Sequence, residues 1–100
     1  ELKKIPAGLF DPLVNVLSFE SVFSSCMINS VPEGLFARSL NANVFDSAFK
    51  NCSNLEFAPE LWILYNDPDG TSKDISKHNC FAGCSKASNY AQIPDKWKNW

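Results

Sequence analysis

Phe19-Glu20-Ser21-Val22-Phe23-Ser24-Ser25-Cys26 returns 26 residues later as Phe45-Asp46-Ser47-Ala48-Phe49-Lys50-Asn51-Cys52. A third copy survives as Cys80-Phe81-x-x-Cys84, with Lys77 in the first aromatic slot. A second block keeps the same beat. Ile5-Pro6-Ala7-Gly8-Leu9-Phe10 becomes Val31-Pro32-Glu33-Gly34-Leu35-Phe36, then Ala58-Pro59-Glu60-Leu61-Trp62 without the glycine, then Ile93-Pro94-Asp95-Lys96-Trp97. Leu2, Ile28, Leu55 or Tyr90 stands three residues ahead of each proline-preceding residue. Two separate motifs sharing one offset mark an internal repeat.

Each repeat has a local reading. The residue before proline is held extended, so Leu-x-x-Ile-Pro predicts a short strand. Proline then suits the first position of a helical turn. Phe19, Val22, Phe23 and Cys26 fall at i, i+3, i+4 and i+7, the apolar stripe of a two-turn helix. A single copy has too few apolar side chains to offset the ordering entropy of its backbone, so the copies must stack. The expected fold class is therefore α/β: a solenoid of about three coils, each a short strand plus short helical turns, with a degenerate last coil. One domain spans residues 1–100, with repeats at about 2–27, 28–54 and 55–89 and a C-terminal cap over 90–100, where Trp97 and Trp100 stand among lysines.

Composition narrows the function classes. One hundred residues with 45% apolar content can build one core. A net charge of −2 provides no basic field for nucleic acid. Apolar runs stop at four or five residues, too short to span a membrane. The chain opens on Glu1 rather than Met, as expected of a piece excised from a longer protein that would have carried any export signal.

Ile-Pro-x-Gly-Leu-Phe alternating with Phe-x-x-x-Phe-x-x-Cys-x-x-Leu resembles the leucine-rich repeats of BspA-type bacterial surface proteins. The stretch from Ala58-Pro59-Glu60-Leu61-Trp62 through Cys80-Phe81-Ala82-Gly83-Cys84 to Ile93-Pro94-x-x-Trp97 is similar to the terminal repeats of such arrays. The resemblance covers nearly the whole chain except Asn66 to Asp74, and the spacer Lys73-Asp74-Ile75-Ser76-Lys77 departs from the family pattern. It implies a strand-and-coil stack displayed on a bacterial cell surface or secreted, or alternatively on a virion, and family members include adhesins.

Four cysteines leave two readings open. Cys26, Cys52 and Cys84 share one repeat register facing the core, and Cys80 takes the slot of Val22 and Ala48. Neighbouring helices at 8–10 Å would hold them too far apart to bridge, which favours a buried ladder of free thiols. A Cys52–Cys80 or Cys80–Cys84 disulfide is the other. His78-x-Cys80-x-x-x-Cys84 offers three zinc ligands where a structural site needs four, and the repeat already explains both cysteines. As a Cys-His nucleophile pair the same residues lack an open, electropositive setting.

Asp67-Pro68-Asp69-Gly70-Thr71 hints at a calcium loop. The sixth and twelfth positions hold Ser72 and His78 rather than glycine and glutamate, so an exposed turn is the expectation. Trp62 and Trp97 align with Phe10 and Phe36, which points to core packing over a sugar-stacking platform. Asn51-Cys52-Ser53 matches a glycosylation sequon whose cysteine belongs to the core stripe. Glu33 and Glu60 read as first-turn helix acids favoured by the dipole.

The expected function is a non-catalytic binding and adhesion module with no cofactor and no metal. Its partner would be a protein or glycan on a host or neighbouring cell, and the remainder of a longer parent chain would adjoin it. Asn15, Glu20, Ser21, Arg38, Asn41, Asp46 and Lys50 are the variable polar positions outside the packing register, and none is assigned as a contact. The alternative is a structural spacer or capping segment of a longer array or phage tail protein, with no ligand of its own.

Overall fold

A four-residue turn of type II needs positive φ at its third residue, which glycine adopts freely and Asn or Ser adopts at some cost. The computed structural model, which describes residues 5–99, uses this geometry throughout the phenylalanine octets. Ser21 and Ser25, Ser47 and Asn51, and Asn79 and Gly83 all have φ between 55° and 83°. The amides of Val22 and Cys26 donate to the carbonyls of Phe19 and Phe23. Ala48 and Cys52 repeat this on Phe45 and Phe49, and Cys80 and Cys84 on Lys77 and Phe81. Each octet is thus two consecutive turns.

The amides left over point sideways. Those of Phe19, Ser21, Phe23 and Ser25 donate at 2.7–2.9 Å to the carbonyls of Val44, Asp46, Ala48 and Lys50. Those of Phe45, Ser47, Phe49 and Asn51 donate at 2.6–2.9 Å to Ser76, His78, Cys80 and Ala82. Three windings of turns therefore lie in parallel, joined through alternate amides, with parallel bridges Ser18–Val44 and Val44–Ser76 at their foot. Gly83 shows how close they come. A Cβ there would sit 2.6 Å from Asn51 Oδ1 and 3.1 Å from Asn51 Cα.

This corrects the expected fold class. An α/β leucine-rich-repeat-like solenoid of strand-plus-helix coils is not what forms: no sheet is present among the described residues, and helix is confined to three short pieces. The predicted strand segments before Pro32 and Pro59 are not strands, and Leu2, the first repeat's strand start, lies outside the described residues together with Trp100. The predicted octet helices fail because a left-handed residue at every fourth position resets the chain before a helical ladder can propagate. The i, i+3, i+4, i+7 stripe still faces inward, because two successive turns present their first and last residues to one side.

The proline blocks follow the same logic. Gly8 and Gly34 both have φ of 76°, and the amides of Leu9 and Leu35 close turns onto the Pro6 and Pro32 carbonyls. The third copy has Leu61 in the glycine slot, which cannot go left-handed cheaply. There the chain forms α1 (Leu61–Leu64), whose Tyr65 amide returns to the Leu61 carbonyl. A 3-10 turn (Tyr90–Gln92) and α2 (Asp95–Lys98) close the C-terminal end, where the Phe81 amide donates to the Trp97 carbonyl.

One apolar cluster runs through the windings. Phe23, Phe49 and Phe81 are neighbours at centroid distances of 5.5 and 5.3 Å, and Phe19 meets Phe45 at 5.9 Å. Phe10 and Phe36 lie 5.5 Å apart, and Trp62 packs edge-on to Phe81 at 5.8 Å. The last winding has Lys77 where Phe19 and Phe45 stood. Trp97 supplies the missing ring, 5.9 Å from Phe45.

Candidate functional site

Polar groups inside this core are few and fully partnered. Lys77 and Asp67 are both almost completely buried, and their Nζ and Oδ2 are 3.0 Å apart. Lys77 Nζ also donates to the carbonyls of Ser72 (2.8 Å) and Ile75 (3.0 Å). Asp67 Oδ2 accepts from Trp97 Nε1 at 3.1 Å, and Oδ1 accepts from the Ser72 amide at 2.8 Å. Asp67, expected to open an exposed turn or calcium loop, instead neutralises the lysine that displaced a phenylalanine. Asp69 remains at the surface, where Thr71 hydrogen bonds hold its carboxyl below the usual value.

Two of the thiols are tied down as well. All four cysteines are free. Cys52 Sγ donates to the Phe23 carbonyl at 2.9 Å, and Cys84 Sγ to the Phe49 carbonyl at 3.0 Å. A separation of about 8–10 Å belongs to helices lying side by side. The windings are closer than that, joined by direct backbone bonds, and each of these two thiols spends its hydrogen on the preceding winding. Burial pushes the Cys52 thiol up to about 12 and Cys84 to about 11, and lifts Cys80 well above its ordinary value. His78 is exposed on the rim beside Asp46, with Nδ1–Oδ2 at 3.5 Å, while Cys80 and Cys84 are buried. Among the described residues no group of three or more His, Cys, Asp or Glu could hold a metal ion.

A pH dependence follows. Raised thiol values mean that the fold favours the protonated form, and unfolded cysteine titrates near about 8.5. This contribution is complete below that pH and is lost as pH rises toward the folded values, with Tyr65, pushed up to about 12 by burial, adding in the same direction. The denaturant midpoint should hold between pH 6 and about 8 and fall across roughly 9 to 11. Cys52→Ala and Cys84→Ala should flatten that fall. A profile that stays level to pH 11 would contradict the buried-thiol assignment, as would labelling of Cys52 or Cys84 in native protein at pH 8.

Other buried polar groups link neighbouring windings. Ser39 Oγ donates to the Leu13 carbonyl at 2.9 Å, and Tyr65 Oη donates to the Ser39 carbonyl at 2.7 Å, each across 26 residues. Asn89 pairs its side-chain amide with both the N–H and the C=O of Ala58 at 2.9 and 3.0 Å, acting as a piece of backbone. Neither arrangement was evident from residue type alone. Trp62 and Trp97 are buried, which removes the sugar-stacking platform. Of the variable positions, Asn15, Glu20, Ser21, Arg38 and Asn41 are exposed and Asp46 and Lys50 half-buried.

An open concavity lies between the second and third proline blocks. Its volume is about 550 Å³, and its apolar walls include Val31, Pro32, Phe57, Pro59, Leu61 and Leu64. Glu33, Glu56 and Glu60 stand on its rim, and no Lys or Arg lines it. Phe57 is half exposed there, an uncommon state for a ring that size. Glu33 and Glu60, expected as helix acids, have other settings: Gly34 turns the chain left-handed just after Glu33, and Glu60 only precedes a one-turn helix. No helix among the described residues is long and apolar enough to cross a membrane. No protein-family model and no curated protein sequence matches the chain.

Proposed function

We propose that the chain is a non-catalytic, surface-displayed binding module that holds its ligand in the cleft between the second and third proline blocks. The observation that carries this reading is the pairing of apolar walls with an all-acidic rim. Phe57 and Leu64, exposed at the cleft, gain by being covered, and Glu33, Glu56 and Glu60 favour a ligand segment that presents Lys or Arg beside apolar side chains. The Cys52 and Cys84 thiols, hydrogen-bonded and held protonated, are poor nucleophiles, which supports binding over catalysis.

Titration of the full chain with labelled peptides that alternate Lys or Arg with Leu or Phe tests this. Binding should weaken with salt, and Glu33→Gln with Glu60→Gln should cost roughly 2- to 30-fold in affinity, from about 0.2–1 kcal/mol per exposed charge pair. Equal binding of acidic and basic peptides would remove the reading. A second reading, a capping segment of a longer repeat array, is favoured by the asymmetry of the two ends. α2 and Trp97 close the last winding, while among the described residues no such element covers the first.

A further inference from the structure

The first winding ends in a row of backbone acceptors. The carbonyls of Val44, Asp46, Ala48 and Lys50 accept from winding one, and those of Ser76, His78, Cys80 and Ala82 accept from winding two. The equivalent carbonyls of winding one belong to Ser18, Glu20, Val22 and Ser24, and none accepts a hydrogen bond from any described residue. Side chains follow the same gradient. Leu9 is 46% and Leu13 39% exposed, whereas Leu35 and Ser39, one repeat on, are buried. Val22 and Cys26 are half-buried where Ala48 and Cys52 are fully enclosed.

The chemistry of this edge restricts what can cover it. Its own amides are spent: Phe19, Ser21, Phe23 and Ser25 on winding two, and Val22, Ser24 and Cys26 on turns. An acceptor-only row cannot pair with its own image across a twofold axis, so two copies cannot meet edge to edge. Nor can a copy stack head to tail, because α2 occupies the far end, with the Phe81 amide bonded to Trp97. The complement must present N–H groups at every second residue together with inward apolar side chains, as this turn-built winding does.

We infer that the edge formed by residues 18–24 is a docking surface for one further winding of the same turn type, lying N-terminal to it in the same polypeptide. Chain order and stacking order already agree for the three windings present, so the next position in the ladder belongs to preceding sequence. This rests on the capping-segment reading and names the residues through which that cap engages its array.

The test extends the full chain at its N-terminus with a second copy of residues 1–26, which keeps the 26-residue offset. The added counterparts of Phe19, Ser21, Phe23 and Ser25 should show amide exchange slowed roughly a hundredfold or more against random coil, and the melting temperature should rise. The same extension with aspartate at its Phe19 and Phe23 counterparts should show neither effect, with the original residues 5–99 folded in both. Random-coil exchange throughout the unmodified extension, at unchanged melting temperature, would overturn the inference. A free peptide of residues 1–26 should give no protection at micromolar concentration. If it protects as well as the fused copy, the partner is a separate chain and the same-polypeptide assignment fails. Peptide binding at the cleft is read independently, so failure of either reading leaves the other standing.

Discussion

Asp67→Ala should lower the unfolding free energy by about 3–5 kcal/mol, because it strands the Lys77 ammonium in the core. Burying a charge in place of an aromatic ring is tolerable only while its counter-ion and both carbonyl acceptors stay in place. The same carboxylate also satisfies Trp97 Nε1 and the Ser72 amide, so its loss orphans two further donors. Lys77→Met combined with Asp67→Asn removes both charges and keeps an oxygen for one of those donors. That pair should recover most of the loss. Urea unfolding followed by tryptophan fluorescence measures all three proteins. A cost below about 1 kcal/mol for Asp67→Ala, or no recovery in the double variant, would show that the pair is not the buried unit described.

Phe49→Ala should cost about 3–5 kcal/mol, as expected when a large ring is removed from a fully packed position. Phe49 is completely buried, with Phe23 and Phe81 at 5.5 and 5.3 Å and Phe36 at 6.2 Å. It sits in the middle winding, so no solvent-exposed side exists toward which its neighbours could relax. Phe23→Ala, nearer the open edge, should cost less. Chemical denaturation of both variants checks the order, and a near-neutral Phe49→Ala would place the core elsewhere.

The inward residues were legible from the repeat, but the backbone that turns them inward was not. Phe19, Phe23, Phe45 and Phe49 share the interior because a spacing of three and four serves a helix and a run of four-residue turns equally well. The signal that separates the two stood in the columns between them. Ser21, Ser47 and Asn79 fill one, and Ser25, Asn51 and Gly83 the other, all residues that tolerate or favour left-handed backbone. Weighed as solvent-facing helix positions, they carried no such information. The glycine of Pro-x-Gly likewise suits a helical turn on paper, yet the α-helical turns form in the two proline blocks that lack it, at Leu61 and at Lys96.

The polar centre was half visible. Lys77 was recognisable as an intruder in an aromatic column, but its partner Asp67 lies ten residues upstream in a stretch that reads as a surface turn. Nothing short of the folded path joins them. The cleft was hidden for a related reason, since its walls come from residues 29–37 and 56–64 of successive repeats and its acids looked like helix ornaments.

The ladder between windings one and two spans 26 residues, and that between windings two and three spans 32, yet the backbone pairing is the same in both. Registration is therefore decided locally, by where the four-residue turns begin, and is indifferent to how far the chain wanders before coming back. Such an architecture can lengthen one circuit, tuck the excess against its flank, and rejoin its neighbours without a slip. Here that tolerance let a detour arise that carries its own counter-ion for the lysine it encloses.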